Sequence, residues 1–112
     1  MNAISTIIQK VQVHHLKIAF ALIASQYVGQ EFDGIITGVT SFGLFVQLKD
    51  LYAEGLLHIK DMHGDYFIFD EPNYRLIGKK TKKIYKLGGN VRVRIIKVNL
   101  EKRMIDLAYV SD

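Results

Sequence analysis

The pattern of apolar and polar positions changes period near Val28. Before it, Ile4, Ile8, Val11, Ile18 and Leu22 share one stripe at helical spacing, which predicts an amphipathic helix within residues 1–27. Leu16, Ile18, Phe20 and Leu22 also alternate, so a strand template competes over that stretch. After Val28 the period is two. Residues 32–40 read as a first strand, and Gly34 and Gly38 within it predict a bend or bulge. Residues 43–49 form a second, with Leu44, Val46 and Leu48 inward and Phe45 and Gln47 outward. Residues 54–59 form a short third, with Leu57 and Ile59 inward and His58 outward. Residues 90–98 form a fourth, with Val91, Val93 and Ile95 inward and Arg92 and Arg94 outward. Residues 104–108 form a fifth, after a turn over 99–103.

Five short strands, with most of the spare length between the third and fourth, is the arrangement of the OB barrel. The expected fold is therefore mainly β: a five-stranded OB barrel over residues 28–112, preceded by an N-terminal helix within 1–27. The spare length, residues 60–89, holds Tyr66, Phe67, Phe69, Tyr74, a turn at Gly78 and the run Lys79-Lys80-Thr81-Lys82-Lys83. Because Ile84, Tyr85 and Leu87 follow at once, a small hairpin or helical turn is predicted there.

Composition narrows the function classes. At 112 residues the chain is expected to form one domain, and with no cysteine it has no disulfide, thiolate nucleophile or cysteine zinc site. The apolar stretch from Ile18 to Ala24 is too short to cross a bilayer, so no membrane partner is expected. A small-residue end at Ala24-Ser25 fits a signal peptide, but the long, weakly charged region before it does not. The expectation is a cytoplasmic protein whose residues 1–27 dock on the domain, on a partner or on a second copy. Charge is unevenly spread: +2 over residues 1–28, −5 over 29–78 and +7 over 79–112. A basic end on an acidic body points to a polyanion-facing side.

The outward residues suggest which polyanion. Phe42, Phe45 and His58 place two rings and an imidazole toward solvent on neighbouring strands, an exposure that requires a reason. Stacking of nucleobases supplies it, since every base has a π-face. The competing reading for Phe42 is a plug at the barrel end. Arg92 and Arg94 share the outer face of the fourth strand, and a guanidinium can stack on a base or grip phosphate. Lys79, Lys80, Lys82 and Lys83 read as auxiliary phosphate contacts, or as a solubilising loop. Asp61, His63, Asp65, Asp70 and Glu71 are the one stretch able to suggest a hard metal ion. Catalysis would also require an ordered nucleophile and a closed pocket, so no enzyme activity, metal or cofactor is expected. His14 and His15, adjacent on a helix, point apart and do not form a metal pair.

Phe42-Gly-Leu-Phe45-Val, Glu54-Gly-Leu-Leu-His58-Ile, Val98-Asn99 and Arg103-Met-Ile-Asp-Leu resemble the S1 RNA-binding domain. Asp65-Tyr66, Phe69-Asp70, Arg75-Leu-Ile-Gly78, Tyr85-Lys-Leu-Gly88 and Val91-Arg-Val-Arg94 are similar, more finely, to the C-terminal S1 domain of the bacterial ribonuclease R family. The resemblance covers residues 28–107. It implies an OB fold and an RNA-contacting face made of Phe42, Phe45, His58, Asn99 and Arg103, to which the strand pattern adds Arg94. Many relatives have Asp where this chain has Asn99, so the contact is expected to persist with altered preference. The nuclease chemistry of that family belongs to a separate domain of clustered aspartates, which nothing here matches. The expected function is single-stranded RNA binding, in a ribonuclease R-like exoribonuclease or a free-standing protein. The alternative is an OB module that binds protein.

Overall fold

In the computed structural model, which describes residues 25–49, 51, 53–99 and 104–111, the period-two segments close into a barrel. Its first three strands are β1 (Glu31–Thr40), β2 (Gly43–Leu48) and β3 (Ala53–His58). An insertion follows with three short strands, β4 (Phe67–Asp70), β5 (Arg75–Gly78) and β6 (Ile84–Lys86). The barrel is completed by β7 (Asn90–Asn99) and β8 (Met104–Ser111), in the closed order β1-β2-β3-β8-β7. All barrel pairs are antiparallel except β3 with β8, which meet in parallel at Leu56–Asp106 and Leu57–Leu107.

Alternation builds the core. Leu44, Val46 and Leu48 of β2, Leu57 of β3, Val91, Val93 and Ile95 of β7, and Ile105 and Leu107 of β8 are all buried together. Removing such side chains from water, at about 1.5–3 kcal/mol each, is the main favourable term in folding. β1 serves both sides of the barrel, pairing with β7 through residues 31–35 and with β2 through residues 34–40. The register with β2 slips between Ile36 and Gly38, the bulge expected from the glycines.

One local expectation requires correction. Ile59 is not the last inward residue of β3. It opens a 3-10 turn, Ile59–Asp61, and is only half-buried. Leu56 stands between Phe45 and Asp106 on the outer face by register, yet it is buried.

The insertion holds the hairpin that was one of the two expected forms, β5 and β6 joined through the lysine run, and β4 widens it to a three-stranded sheet. β4, β5 and β6 pair antiparallel in that order, with a 3-10 turn at Glu71–Asn73 between the first two. Leu76 and Tyr85 on its inner face, with Phe67 and Phe69, join the barrel core. Tyr85 meets Phe67 and Tyr109 edge-on at centroid distances of 5.6 and 6.2 Å. The row Ile68–Ile77–Ile84 crosses the opposite face, with Ile68 and Ile84 exposed. The helix expected within residues 1–27 falls, for residues 1–24, outside the described residues.

Candidate nucleic-acid interface

The β1–β2 turn fixes the first ring. Thr40 Oγ1 accepts hydrogen bonds from the amides of Phe42 and Gly43, at 3.3 and 3.1 Å, and its hydroxyl donates to the Gly43 carbonyl at 2.9 Å. Gly43 has φ +155°, and a Cβ there would collide with the Leu57 carbonyl oxygen. Only glycine lets β2 approach β3 at this point. Phe42, held by this turn, is 50% exposed, so it does not plug the barrel.

Phe45 lies two residues along β2's outer face from Gly43 and packs across Gly38, whose hydrogen leaves the space. A Cβ on Gly38 would sit 3.1 Å from Phe45 Cδ2. The Phe42 and Phe45 rings meet edge-to-face, with centroids 6.4 Å apart and planes at 85°. On the next strand His58 pairs with Gly43, and the Ile59 amide donates to the Phe42 carbonyl at 2.9 Å. The two rings and the imidazole therefore share one outward surface, as alternation indicated.

β8 adds a residue that sequence reasoning missed. Asp106 Oδ1 lies 3.7 Å from His58 Nε2, an ion pair when the imidazole is protonated. Ile105 and Leu107 point inward, so alternation already placed Asp106 outside. Asp106 pairs across β7 with Lys97, and Asn99, paired with Met104, stands two residues further along. Arg103 lies outside the described residues.

Arg94 occupies a different part of the barrel. Its Cα partners are Glu31 of β1 and Ala108 of β8, and its Nη2 meets Glu31 Oε2 at 2.7 Å. Arg92 bridges Asp33 at 2.9 Å and Glu31 at 3.5 Å. The Arg94 guanidinium, with help from Arg92, holds the Glu31 carboxyl below its ordinary range, and Asp33 chiefly raises the Arg92 pKa. Both arginines thus face carboxylates of β1, while the rings stand on β2.

The lysines are placed by Asp65. Its carboxylate accepts hydrogen bonds from the amides of Tyr66, Lys80 and Thr81 and from the Thr81 hydroxyl, at 2.7–2.9 Å for the shortest contact with each. The Thr81 hydroxyl, followed by the amides, holds the Asp65 carboxyl far below the ordinary carboxylate range. This winds the turn between β5 and β6, where Lys82 adopts φ 62°. All four lysines are exposed, but they diverge. Lys80 faces a pocket with Tyr66, whereas Lys83 Nζ lies 6.0 Å above the Tyr109 ring.

Two members of the acidic stretch hold local structure. Asp65 closes the turn, and Asp70 accepts from Asn73 Nδ2 at 2.9 Å and Arg75 Nε at 2.8 Å. Among the described residues no three His, Asp or Glu side chains gather as a metal-ligand group.

This arrangement has known counterparts. Residues 25–109 match the family model for the S1 RNA binding domain. Ribonuclease R of Vibrio parahaemolyticus is 46% identical over 85 residues, covering 76% of this chain and 10% of that protein. The Escherichia coli enzyme is 43% identical over 84 residues, covering 75% of this chain and 10% of the relative. The chain thus spans about a tenth of the length of these curated relatives. Among solved structures, Mycoplasma genitalium RNase R superposes with a TM-score of 0.80 at 29% identity, over 84% of this chain and 15% of that one. The same protein has been solved in complex with ribose-methylated single-stranded RNA, with the same agreement. Sequence, barrel and outward rings converge: the chain belongs to the S1 RNA binding domain family, in a form similar to the S1 domain of ribonuclease R.

Proposed function

We propose that the chain binds single-stranded RNA on the outer face of β2 and β3, as an accessory module of a ribonuclease R-like exoribonuclease. The observation that carries this is the pair of outward rings, Phe42 and Phe45, with His58 on the adjoining strand. Each ring offers a face or edge to a base, and stacking is worth about 1–3 kcal/mol per base. As the family resemblance implies, Asn99 and Arg103 add hydrogen bonds to the RNA; Arg94 with Lys79, Lys80, Lys82 and Lys83 attracts phosphates. The related RNase R solved with ribose-methylated single-stranded RNA supports this ligand class. In this reading residues 28–112 form the binding unit, residues 1–27 a separate segment, and any RNA cleavage belongs to other parts of such an enzyme.

The test is an NMR titration of the 112-residue chain with single-stranded and duplex RNA of one sequence. Single strands are expected to shift amides around Phe42, Phe45 and His58, and duplex RNA to leave them in place. Equal shifts with both, or shifts confined to the opposite side of the barrel, overturn the proposal.

A further inference from the structure

A second concavity borders the ring platform. The 3-10 turn after β3 and the start of the insertion enclose an open pocket of about 510 Å³, within the range of small-ligand clefts. Its floor is apolar, from Ile59, Met62 and Phe67, and its rim carries Lys60, His63, Lys80 and Tyr66. Tyr66 is 73% exposed. The only carboxylate among the lining residues, Asp65, directs its oxygens at the Tyr66, Lys80 and Thr81 donors. Its oxygens are therefore turned onto fixed donors, and Lys60 and Lys80 supply the two ammonium groups among the lining residues. The pocket adjoins the platform: Ile59, which lines it, follows His58 and donates its amide to the Phe42 carbonyl at 2.9 Å.

We infer that this pocket is a further nucleotide subsite, in which Tyr66 stacks a base of the same RNA strand while Lys60 and Lys80 hold its phosphates. The inference rests on the proposed RNA reading and extends it from the barrel onto the insertion. An exposed aromatic ring in a basic groove is the combination by which single-strand binders track a backbone. His63 contributes an imidazole N–H that can donate to a phosphate or ribose oxygen. A strand leaving Phe42 enters the pocket directly, so occupancy depends on oligonucleotide length.

The experiment compares a uridine dinucleotide with a hexanucleotide on the full chain, by fluorescence titration over a salt series and by NMR. The variants are Tyr66→Ala, the double variant Lys60→Gln with Lys80→Gln, and Phe45→Ala. The Tyr66 and lysine side chains are exposed, and it is the backbone amide of Lys80 that Asp65 binds, so these variants are expected to fold. The hexanucleotide is expected to lose at least about fivefold in affinity with Tyr66→Ala, the lower end of stacking on one ring. With the double variant its salt slope falls by about 0.7 for each phosphate no longer neutralised. Dinucleotide affinity stays unchanged with Tyr66→Ala, and the amides of Gly64 and Lys80 shift only with the longer strand. If the hexanucleotide binds these variants as it binds the parent chain while Phe45→Ala weakens both ligands, the subsite is refuted and the platform stands. If neither oligonucleotide binds the parent chain, subsite and platform fall together.

Discussion

Replacing Phe45 by alanine separates binding from folding, because the ring belongs to the outer surface and not to the core cluster. The side chain packs against Gly38 on one side and meets Phe42 edge-on at 6.4 Å on another, leaving it half-buried. Half of the transfer free energy of a buried phenylalanine, plus part of an aromatic pair, sets a stability loss of about 1–2 kcal/mol. A fully buried phenylalanine would cost about 3–5 kcal/mol. Loss of one stacked base costs about 1–3 kcal/mol of binding, a weakening of roughly 5- to 150-fold. The assay is fluorescence anisotropy with a short single-stranded RNA across a salt series, beside a denaturant melt of each protein. Stacking involves no counterion release, so affinity should fall by a similar factor at every salt concentration with the slope unchanged. Equal affinity in a folded Phe45→Ala protein refutes the platform. A drop accompanied by a flatter salt slope would also refute the reasoning, since it would assign Phe45 an indirect effect on charge.

Other expectations concern the supports of this face. Gly43→Ala forces a side chain against the Leu57 carbonyl, and should destabilise the barrel by more than about 1 kcal/mol in a denaturant melt. Leu107→Ala empties a fully buried site between β3 and β7 and should cost about 2–5 kcal/mol in the same measurement. The lowered pKa of Asp65 means that its contribution is complete above the ordinary carboxylate pKa of about 3.9 and is lost as pH falls through the folded-state value. Amides of Lys80 and Thr81, followed by NMR on acidification, should report that loss, and Asp65→Ala should reproduce it at neutral pH. Glu31→Gln should leave stability little changed in a denaturant melt, as for other exposed pairs. By freeing Arg94 for phosphate it should also steepen the salt dependence of RNA binding by about 0.7. An unchanged slope assigns Arg94 to the β1–β7 ladder alone.

The barrel was legible because its strands, β3 apart, have one dry face and one wet face. Leu44, Val46 and Leu48, and Val91, Val93 and Ile95, alternate with polar neighbours, and a one-residue slip would bury the wrong set. The insertion lacks this contrast. In Phe67-Ile68-Phe69 and Leu76-Ile77 both faces are apolar, so four-residue strands carry no period to read. Ile59 failed for a related reason: parity holds only while the chain stays extended, and the chain turns there. Outward rings were legible from parity as well, and so was Asp106, had the same rule been applied to β8. The pairing of Arg94 with Glu31 was not, since it joins residues 63 apart in sequence whose register depends on how the barrel closes.

Positions in the chain also hid a division of labour. The rings of β2 are held by the barrel core and two glycines, whereas Lys80 is held by a turn that Asp65 ties to the insertion. The first interaction is short-ranged and indifferent to salt; the second is electrostatic and weakens as counterions accumulate. Because different structural units support them, a substitution in one should leave the other intact, and their free energies should add to within about 0.5 kcal/mol. Coupling is expected only where the two meet, at Ile59, whose amide binds Phe42 while its side chain lines the lysine pocket. Strong non-additivity between Phe45→Ala and the Lys79, Lys82 and Lys83 substitutions would therefore mean that ring and turn move as one body, contrary to their separate anchoring.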